Sequence, residues 1–506
     1  MSQPGSSTAA PVSENLSADG TASITWSPVG LLACLSASSL LSGCCSVTPS
    51  PFFTHEAHRR GLTNSASSAV FSSFAAAQML SFPAAGWLAP RLGVTRLFTL
   101  GLLLSGVTTV LFGLLTYVEY PSTFLAWCVT VRVAEAVGTS ASLTASRTII
   151  INQFPRRMNS AISLVEGMYG GGLCLGPALG GAMYSAGGYG APFYTLGALI
   201  LITAAVSLLL MPSVTDRPDE KETCANTKEG CVKTSEEYAK TKESCAKTEK
   251  GSAKIREDDA KTKEQCAKLK EGYVKKTEDE LERSDGNQEY RAMLRLVLSS
   301  ADNWLICVTL FVTALNWTSM DPNIEPYVHG ALGIQPAELS LFFLGSFAGY
   351  ALSSPVWGRL SDTVDNTFLF LAACLAPTAL GVLLIPPSPI FGLQPSRLLL
   401  GVGMTLREVF QVGAYMPLLP LMVRLSVVRG LQSTVRGQAL VSSICGAAYS
   451  MGNVLGPVGG GLVTDLWGYP VLATGLGGVT AVLCVAMAVR GVVYCATRQA
   501  PAYDML

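Results

Sequence analysis

Two ten-residue stretches decide the fold of this chain: GLCLGPALGG at residues 172–181 and GNVLGPVGGG at residues 452–461. Both follow the pattern Gly-x3-Gly-Pro-x2-Gly-Gly, and their positions differ by 280 residues. Glycines four apart lie on one face of a helix and let a second helix approach closely, and a proline removes one backbone hydrogen bond. The repeat therefore predicts two equivalent helices, one in each half of a duplicated chain.

Two shorter motifs repeat as well. They are a Gly-Tyr pair, at Gly188-Tyr189 and Gly468-Tyr469, and a Pro-x2-Gly motif, at Pro83–Gly86 and Pro355–Gly358. The first pair keeps the offset of 280 residues, and the second has an offset of 272. Two halves repeated in the same direction are a plan of secondary transporters, whose binding site lies between the halves near the bilayer midplane.

The composition indicates a membrane protein. The 506 residues are 49% hydrophobic and 14% charged, with a mean hydropathy of +0.39. Residues 213–300 hold 19 of the 35 Lys and Arg and 20 of the 35 Asp and Glu, so the rest of the chain has too few charges for a water-exposed surface. This excludes an ordinary soluble enzyme and a nucleic-acid binder. The sequence has no P-loop, GxSxG or HExxH motif, and no cofactor, metal or catalytic residue is predicted.

Apolar stretches of about 20 residues, the length that crosses a bilayer, predict an all-α membrane protein with twelve transmembrane helices. The predicted spans are 29–52, 65–89, 96–118, 122–152, 158–185, 190–212, 302–328, 338–360, 366–388, 394–424, 436–465 and 469–496. They divide the chain into a disordered tail (1–28), a six-helix bundle (29–212), a charged loop (213–301), a second bundle (302–496) and a C-terminal tail (497–506). Short loops on the side of both tails hold eight arginines against three on the other side, which predicts cytosolic tails and a cytosolic central loop.

The central loop contains nine seven-residue units from Cys224 to Gly286, such as CAKTEKG and CAKLKEG. The weak apolar positions of each unit are neighbours and do not form the a/d pair of a coiled coil. The pattern favours a solvated, partly helical spacer with local Lys/Glu pairs, and a coiled coil is the alternative.

Ionisable residues inside spans are costly in a bilayer, so each one is a candidate functional residue. Acids outnumber bases among them. The acids are Glu135, Glu166, Asp321, Glu325 and Glu408, and the bases are Arg132, Arg147 and Arg407. Arg132 and Glu135 are three residues apart on one helical face and are expected to pair, whereas Glu166 has no basic residue near it in sequence. Carboxylates in a midplane cavity suit a cationic substrate and can also exchange protons.

Aromatic residues on the same spans offer cation–π faces to such a substrate. They are Tyr169, Trp317, Tyr350, Tyr415 and Tyr449. Packing and interfacial anchoring are the alternative roles for each ring. The sequence therefore predicts substrate binding and proton coupling at Glu135, Glu166, Asp321, Glu408 and Tyr169.

These motifs resemble the major facilitator superfamily and, within it, the drug:proton antiporter branch. The resemblance implies gating or coupling roles for Arg132 of the span-4 motif, for Asp362 of the motif Gly358-Arg-Leu-Ser-Asp362, and for Gly176, Pro177, Gly181, Gly456 and Pro457. Pro51–Gly61, Ser163–Gly167 and Ser353–Gly358 are similar to the vesicular amine transporter family, to its polyamine-carrying branch in particular. This similarity implies a monomeric protein that imports polyamines into an acidic vesicle in exchange for protons, with the plasma membrane as the alternative location.

The chain departs from these relatives at two places. Pro90 stands where the superfamily usually has an acid in the first loop motif, which leaves Asp362 as the gate residue. Span 1 has no acid between Asp19 and Glu56, although an acid there is expected to meet the substrate amine. Two alternatives to a polyamine antiporter follow: an antiporter for a monoamine, drug-like or neutral solute, and a non-transporting membrane sensor or scaffold. Loss of function in Glu166→Gln and tolerance to deletion of residues 224–286 would distinguish the transporter from the scaffold.

Overall fold

A computed structural model describes residues 28–49, 53–62, 64–210 and 288–496. The helices of spans 1 to 6 are Pro28–Val47, Asn64–Leu92, Val94–Leu114, Pro121–Gln153, Met158–Gly187 and Gly190–Leu210. Those of spans 7 to 12 are Ala301–Met320, Pro336–Thr363, Thr367–Leu384, Arg397–Tyr415 with Leu418–Val428, Val435–Trp467 and Tyr469–Ala496. The heptad units lie outside the described residues.

The structure confirms an all-α membrane protein built from two six-helix halves. Ten helical segments of the described chain are long and apolar enough to cross a bilayer. The two other spans, 2 and 5, have helices of 29 and 30 residues that are rich in Gly, Ala and Ser and pack within the same bundle. We call the face at which spans 1 and 7 begin and spans 6 and 12 end the terminal face, and the other side the opposite face.

The repeated Gly-Tyr pair ends the equivalent helices of spans 5 and 11. Gly188 and Gly468 have φ values of +73° and +87°, a backbone conformation that glycine adopts at little cost. The tyrosine that follows each glycine is buried; Tyr469 is the first residue of span 12, and Tyr189 directly precedes the first residue of span 6. A local sequence signal thus sets the same helix end in both halves.

Span 10, predicted as one helix over 394–424, is divided into two, and three further segments differ from the predicted boundaries. Span 7 ends at Met320 because Pro322 interrupts the helix, and a short helix, Ile324–Leu332, follows it. Residues 288–298, predicted as part of the charged loop, form a helix whose apolar side packs on the core through Val297. A short helix, Phe53–Arg59, follows span 1. Amphipathic segments of this length were too short to be recognised as separate elements among the spans.

The Gly-Pro motif packs helices within each half. A side chain at Gly172, Gly176 or Gly180 would overlap span 1, and one at Gly452, Gly456 or Gly460 would overlap span 7. These glycines recur every four residues and form one ridge of the helix. Gly181, predicted to act with them, faces open space, because it lies one residue beyond that ridge. Helices continue through Pro177 and Pro457.

The Pro-x2-Gly repeat has a different role, because it brings the two halves together. A methyl group at Gly86 of span 2 would overlap Ser443 of span 11, and one at Gly358 of span 8 would overlap Ser163 of span 5. These contacts form two symmetric seams, span 2 with span 11 and span 5 with span 8. Both glycines lie in the part of their helices that is nearer the terminal face.

A carboxylate strengthens one of the two seams. Asp362, at the end of span 8, accepts hydrogen bonds from the backbone N–H groups of Asn159, at 3.2 Å, and Ser160, at 2.9 Å, and from the Ser160 hydroxyl. The free N–H groups at the start of span 5 form a favourable site for a negative charge. The halves are therefore closed against each other at the terminal face.

Candidate functional site

A cavity of about 510 Å³ lies between the halves. Its wall combines spans 1, 2, 4 and 5 with spans 7, 8, 10 and 11. Ser46, Phe71, Asp321 and Phe343 belong to the parts of their spans that are nearer the opposite face, so the cavity extends in that direction. The cavity is therefore closed on the side of the terminal face.

Arg147, Glu166 and Tyr415 form the floor of this cavity, toward the terminal face. The Arg147 guanidinium donates to Glu166 Oε1 from Nη2 at 3.0 Å and from Nε at 3.3 Å. Its Nη2 also donates to the Tyr415 hydroxyl at 2.9 Å. Arg147 and Glu166 belong to the N-terminal half and Tyr415 to the C-terminal half, so this hydrogen bond joins the halves across the floor.

The sequence does not identify a partner for Glu166, because the base that pairs with it, Arg147, is 19 residues away on the preceding span. The turn between spans 4 and 5 folds the two helices side by side and brings the residues together. Both side chains are 12% exposed, and both line the cavity. Glu166 is therefore accessible to a solute and already paired with a positive charge.

The C-terminal half contributes one guanidinium between two carboxylates. Arg407 Nη2 lies 2.7 Å from Asp321 Oδ1 and 2.6 Å from Glu408 Oε1. The indole N–H of Trp317 donates to both oxygens of Glu408, at 2.9 and 2.8 Å. We call Arg407, Asp321 and Glu408 the C-terminal triad; only Asp321, 22% exposed, reaches the cavity wall.

A second ion pair of the N-terminal half is buried. Arg132 Nη1 lies 3.0 Å from Glu135 Oε2, as the spacing predicts, and the guanidinium packs over the ring of Phe112, 4.8 Å from its centroid. Arg132 lines the cavity, whereas Glu135 does not. Glu408, whose side chain is fully buried, lies behind the wall too. Glu135 and Glu408, both predicted to bind the substrate, therefore lie behind the cavity wall and not on it.

The charges of the cavity do not balance. The wall and the ion pairs directly behind it contain four carboxylates and three guanidinium groups among the described residues. The two pairs of the N-terminal half are each neutral, so the excess negative charge belongs to the C-terminal triad. An uncompensated charge in a low-dielectric site is expensive, so an additional positive charge in this cavity would be favourable.

The five aromatic residues singled out in the sequence all line this cavity. Trp317 packs edge-on against Tyr350, Tyr415 and Tyr449, with ring centroids 5.6 to 6.4 Å apart. Tyr169 faces them from span 5, with its hydroxyl 3.4 Å from Ser46 Oγ. These rings present π faces beside the two exposed carboxylates, an arrangement suited to an organic ammonium group.

The remaining predicted residues lie away from the cavity or serve other contacts. Glu325 is exposed on the short helix after span 7 and is absent from the cavity wall, and span 1 contributes only Ser46 and Val47. Pro457 lines the wall, whereas Asp362 lies in the seam between spans 5 and 8. Within the described residues, no cluster of His, Cys, Asp and Glu is arranged to hold a metal ion.

Two helical halves around a central charged cavity define a secondary transporter. The chain belongs to the Major Facilitator Superfamily, whose family model matches residues 35–263 and 306–499. It is therefore a multi-pass membrane transporter and not an enzyme. The family description fits the whole arrangement of two repeated halves.

Among curated proteins the chain is similar to the MFS-type transporter SLC18B1. Identity to the rat protein is 26% over 441 residues, 87% of this chain and 81% of the relative, and to the human protein 25% over 424 residues. The mouse synaptic vesicular amine transporter is 27% identical over 161 residues, 31% of this chain and 30% of that protein. The crystal structure of the human organic anion transporter MFSD10 (TETRAN) has a TM-score of 0.58 at 16% identity, covers 91% of this chain and 97% of that one, and shares the fold.

Proposed function

We propose that this protein is a proton-coupled antiporter of organic cations, with polyamines such as spermidine as its substrates. The observation that carries the proposal is the excess carboxylate of the cavity. Four carboxylates against three guanidinium groups leave room for one compensating positive charge. If a proton and a substrate ammonium group compete for this negative charge, each expels the other, and their exchange is antiport.

The position of the two exposed carboxylates favours a substrate with more than one amine. Glu166 belongs to the N-terminal half and Asp321 to the C-terminal half, and both line the same cavity. An extended polyamine has ammonium groups for both carboxylates and methylene segments for the aromatic rings between them. A monoamine would occupy one carboxylate at a time and would leave the other contact unused.

Alternating access would then follow from charge compensation. The halves close at the terminal face through Asp362 and the glycine seams. Closing the opposite face would bury the uncompensated charge of the cavity, which costs free energy. A bound cation or proton removes that cost and lets the seams open, so the occupied cavity shifts the population between the two states.

The relatives support an amine as the substrate, since one of them is named a synaptic vesicular amine transporter. We propose a vesicular membrane as the location, with both tails in the cytosol and a monomer as the transporting unit. The opposite face would then look into an acidic lumen, where protons are available to replace the substrate.

Uptake of labelled spermidine into proteoliposomes with an acidic interior tests the proposal. We expect uptake in the wild type that nigericin abolishes, and clearly reduced uptake in Glu166→Gln at the same spermidine concentration. A folded wild-type protein that takes up no spermidine under the gradient would contradict the polyamine assignment.

A less basic solute is the second candidate. Span 1 gives the cavity only Ser46 and Val47, so one side of the cavity wall lacks a charge. Competition against spermidine uptake by monoamines and neutral drug-like compounds distinguishes the candidates. Stronger inhibition by a monovalent or neutral compound than by spermine would favour this alternative.

A further inference from the structure

Arg147 makes a contact that substrate binding at Glu166 must disturb. Two of its nitrogens, Nε and Nη2, donate to the same oxygen, Glu166 Oε1. The remaining bond of Nη2 goes to Tyr415 in the other half. This guanidinium neutralises Glu166 and holds Oε1, one of the two oxygens to which a substrate ammonium group would donate its hydrogen bonds.

We propose that Arg147 is an internal competitor of the substrate: the substrate ammonium displaces its guanidinium from Glu166 and thereby breaks the Arg147–Tyr415 bond between the halves. The inference rests on the proposed function, because it requires a cationic substrate at Glu166. It assigns Arg147 a positioning role that sets both the affinity and the release of the substrate.

The charge balance of the two halves supports a displacement at Glu166 and simple addition at Asp321. Glu166 and Arg147 form a neutral pair, so an added cation there would leave one positive charge in excess unless Arg147 moved away. Asp321 shares Arg407 with Glu408, so it accepts a cation without expelling one. A substrate with two ammonium groups would use both modes, binding first at Asp321 and then competing for Glu166.

The same displacement connects occupancy to opening of the terminal face. Below the floor lies a void of about 10 Å³, bounded by Arg147, Glu166, Ile162, Tyr415 and Met416 among others. That volume is about enough for one water molecule, so little open space separates the floor from the packed side chains beneath it. Arg147–Tyr415 is a direct polar bond across this floor, and the halves cannot separate there while it persists.

Binding and transport by full-length variants test the inference. Spermidine Kd is measured on protein in nanodiscs at one fixed pH, and KM and kcat are measured on the same variants in proteoliposomes. We expect Arg147→Gln to bind spermidine about tenfold more tightly and to turn over more slowly, because the guanidinium no longer returns to Glu166 to release the substrate. Arg147→Lys, which restores a positive charge, should recover a Kd near that of the wild type.

Two further variants separate the parts of the proposal. Tyr415→Phe removes only the bond between the halves, so spermidine should bind more tightly than to the wild type, but by less than in Arg147→Gln, because the displacement then breaks one hydrogen bond fewer. In a Glu166→Gln background, Arg147→Gln should give no gain in affinity, because the competitor then has no site to occupy. A monodisperse size-exclusion profile establishes that each variant is folded.

The outcomes distinguish this inference from the proposed function. A wild type without saturable spermidine binding overturns both. A wild type that binds spermidine, with Arg147→Gln binding equally or more weakly, overturns the competition alone. A gain in affinity that persists in the Glu166→Gln background also overturns it, because Arg147 would then act somewhere other than at Glu166.

Discussion

The two halves of the molecule share a backbone plan and differ in how they arrange charge. At the cavity, the N-terminal half holds two guanidinium–carboxylate pairs, Arg132 with Glu135 and Arg147 with Glu166. At the same cavity, the C-terminal half holds one guanidinium, Arg407, between two carboxylates. Equivalent spans contribute the central arginines, since Arg132 lies in span 4 and Arg407 in span 10.

This difference indicates a division of work between the halves. A guanidinium–carboxylate pair has no net charge, so its carboxylate can bind a cation only by releasing the guanidinium. An unbalanced triad can take up a proton or a cation directly. We infer that the C-terminal half is the site of exchange and the N-terminal half the site at which binding is selected and connected to movement.

The largest effect that we expect from this difference is on stability. Glu135→Gln leaves the buried Arg132 without its carboxylate, and breaking one partner of a buried pair typically costs about 3–5 kcal/mol. Glu408→Gln should cost less, because Arg407 keeps Asp321 as a partner. Thermal unfolding in detergent measures both.

Glu338→Gln is the matched control for the stability comparison. Glu338 pairs with Arg397, which is 58% exposed, at 3.3 Å, and exposed pairs contribute about 0–1 kcal/mol. Equal losses in Glu135→Gln and Glu408→Gln would contradict the difference between the halves.

Asp321→Asn should have the next largest effect, on coupling. The substitution removes the excess charge while preserving the shape of the side chain, so the proton has nothing left to neutralise. We expect gradient-driven spermidine uptake to fall at least about 100-fold, close to the loss expected when a desolvated charge contact of about 3 kcal/mol disappears. Proteoliposome uptake with and without an imposed pH gradient measures it.

Glu325→Gln is the control for removing an acid that does not line the cavity. Glu325 lies four residues after Asp321 and is exposed. It should transport like the wild type. Full gradient dependence in Asp321→Asn would show that the excess charge is not the site of proton exchange.

Much of this architecture could be predicted from the sequence, because its signals are local or repeated. Apolar runs predicted the twelve spans, and the Gly-Pro repeat predicted equivalent helices in the two halves. The contacts of Gly181 were not predictable, since a one-residue shift around a helix turns it away from the ridge that Gly176 and Gly180 share. Spacing alone does not show which of two adjacent glycines meets the neighbouring helix.

The acidic, basic and aromatic residues of the candidate site could be predicted from the sequence, but most of the ion pairs between them could not. Arg132 and Glu135 are three residues apart, and helix geometry pairs them. Glu166 and Arg147 meet only after spans 4 and 5 pack together, and Asp321 meets Arg407 across 86 residues of chain. Such distant arginines determine whether the charge of a carboxylate is neutralised, and the packing of the helices is needed to identify them.

Glu166→Gln should weaken spermidine binding by about 10- to 30-fold, a smaller effect than that of Asp321→Asn. The reason is that the wild-type carboxylate is already neutralised, so the substrate gains only the difference between its own contact and that of Arg147. Equilibrium binding to the purified protein measures the change. A larger loss of spermidine binding in Glu166→Gln than in Asp321→Asn, measured in the same assay, would reverse the assigned roles of the two halves.

The smallest effect concerns the seams, where the halves also differ. By the 272-residue offset, Pro90 of the N-terminal half is the equivalent of Asp362. The start of span 5 receives the Asp362 carboxylate, whereas the start of span 11 is capped by its own Thr434, whose hydroxyl accepts from the N–H of Gly437 at 3.2 Å. Only the seam between spans 5 and 8 therefore depends on a carboxylate across the halves.

Asp362→Asn should consequently favour opening of the terminal face by a modest amount. An acid at a helix N-terminus contributes about 0.5–1 kcal/mol, which corresponds to a change of roughly two- to fivefold in the population of the open state. In a protein whose only cysteine is Cys445, which lies beside the void below the floor, labelling by a maleimide added at the terminal face should accelerate by that factor. Asp365→Asn, three residues further along and exposed, should leave the rate unchanged. An unchanged rate in Asp362→Asn would mean that the glycine contacts hold both seams closed without help from charge, and the halves would then be equivalent at this face despite Pro90.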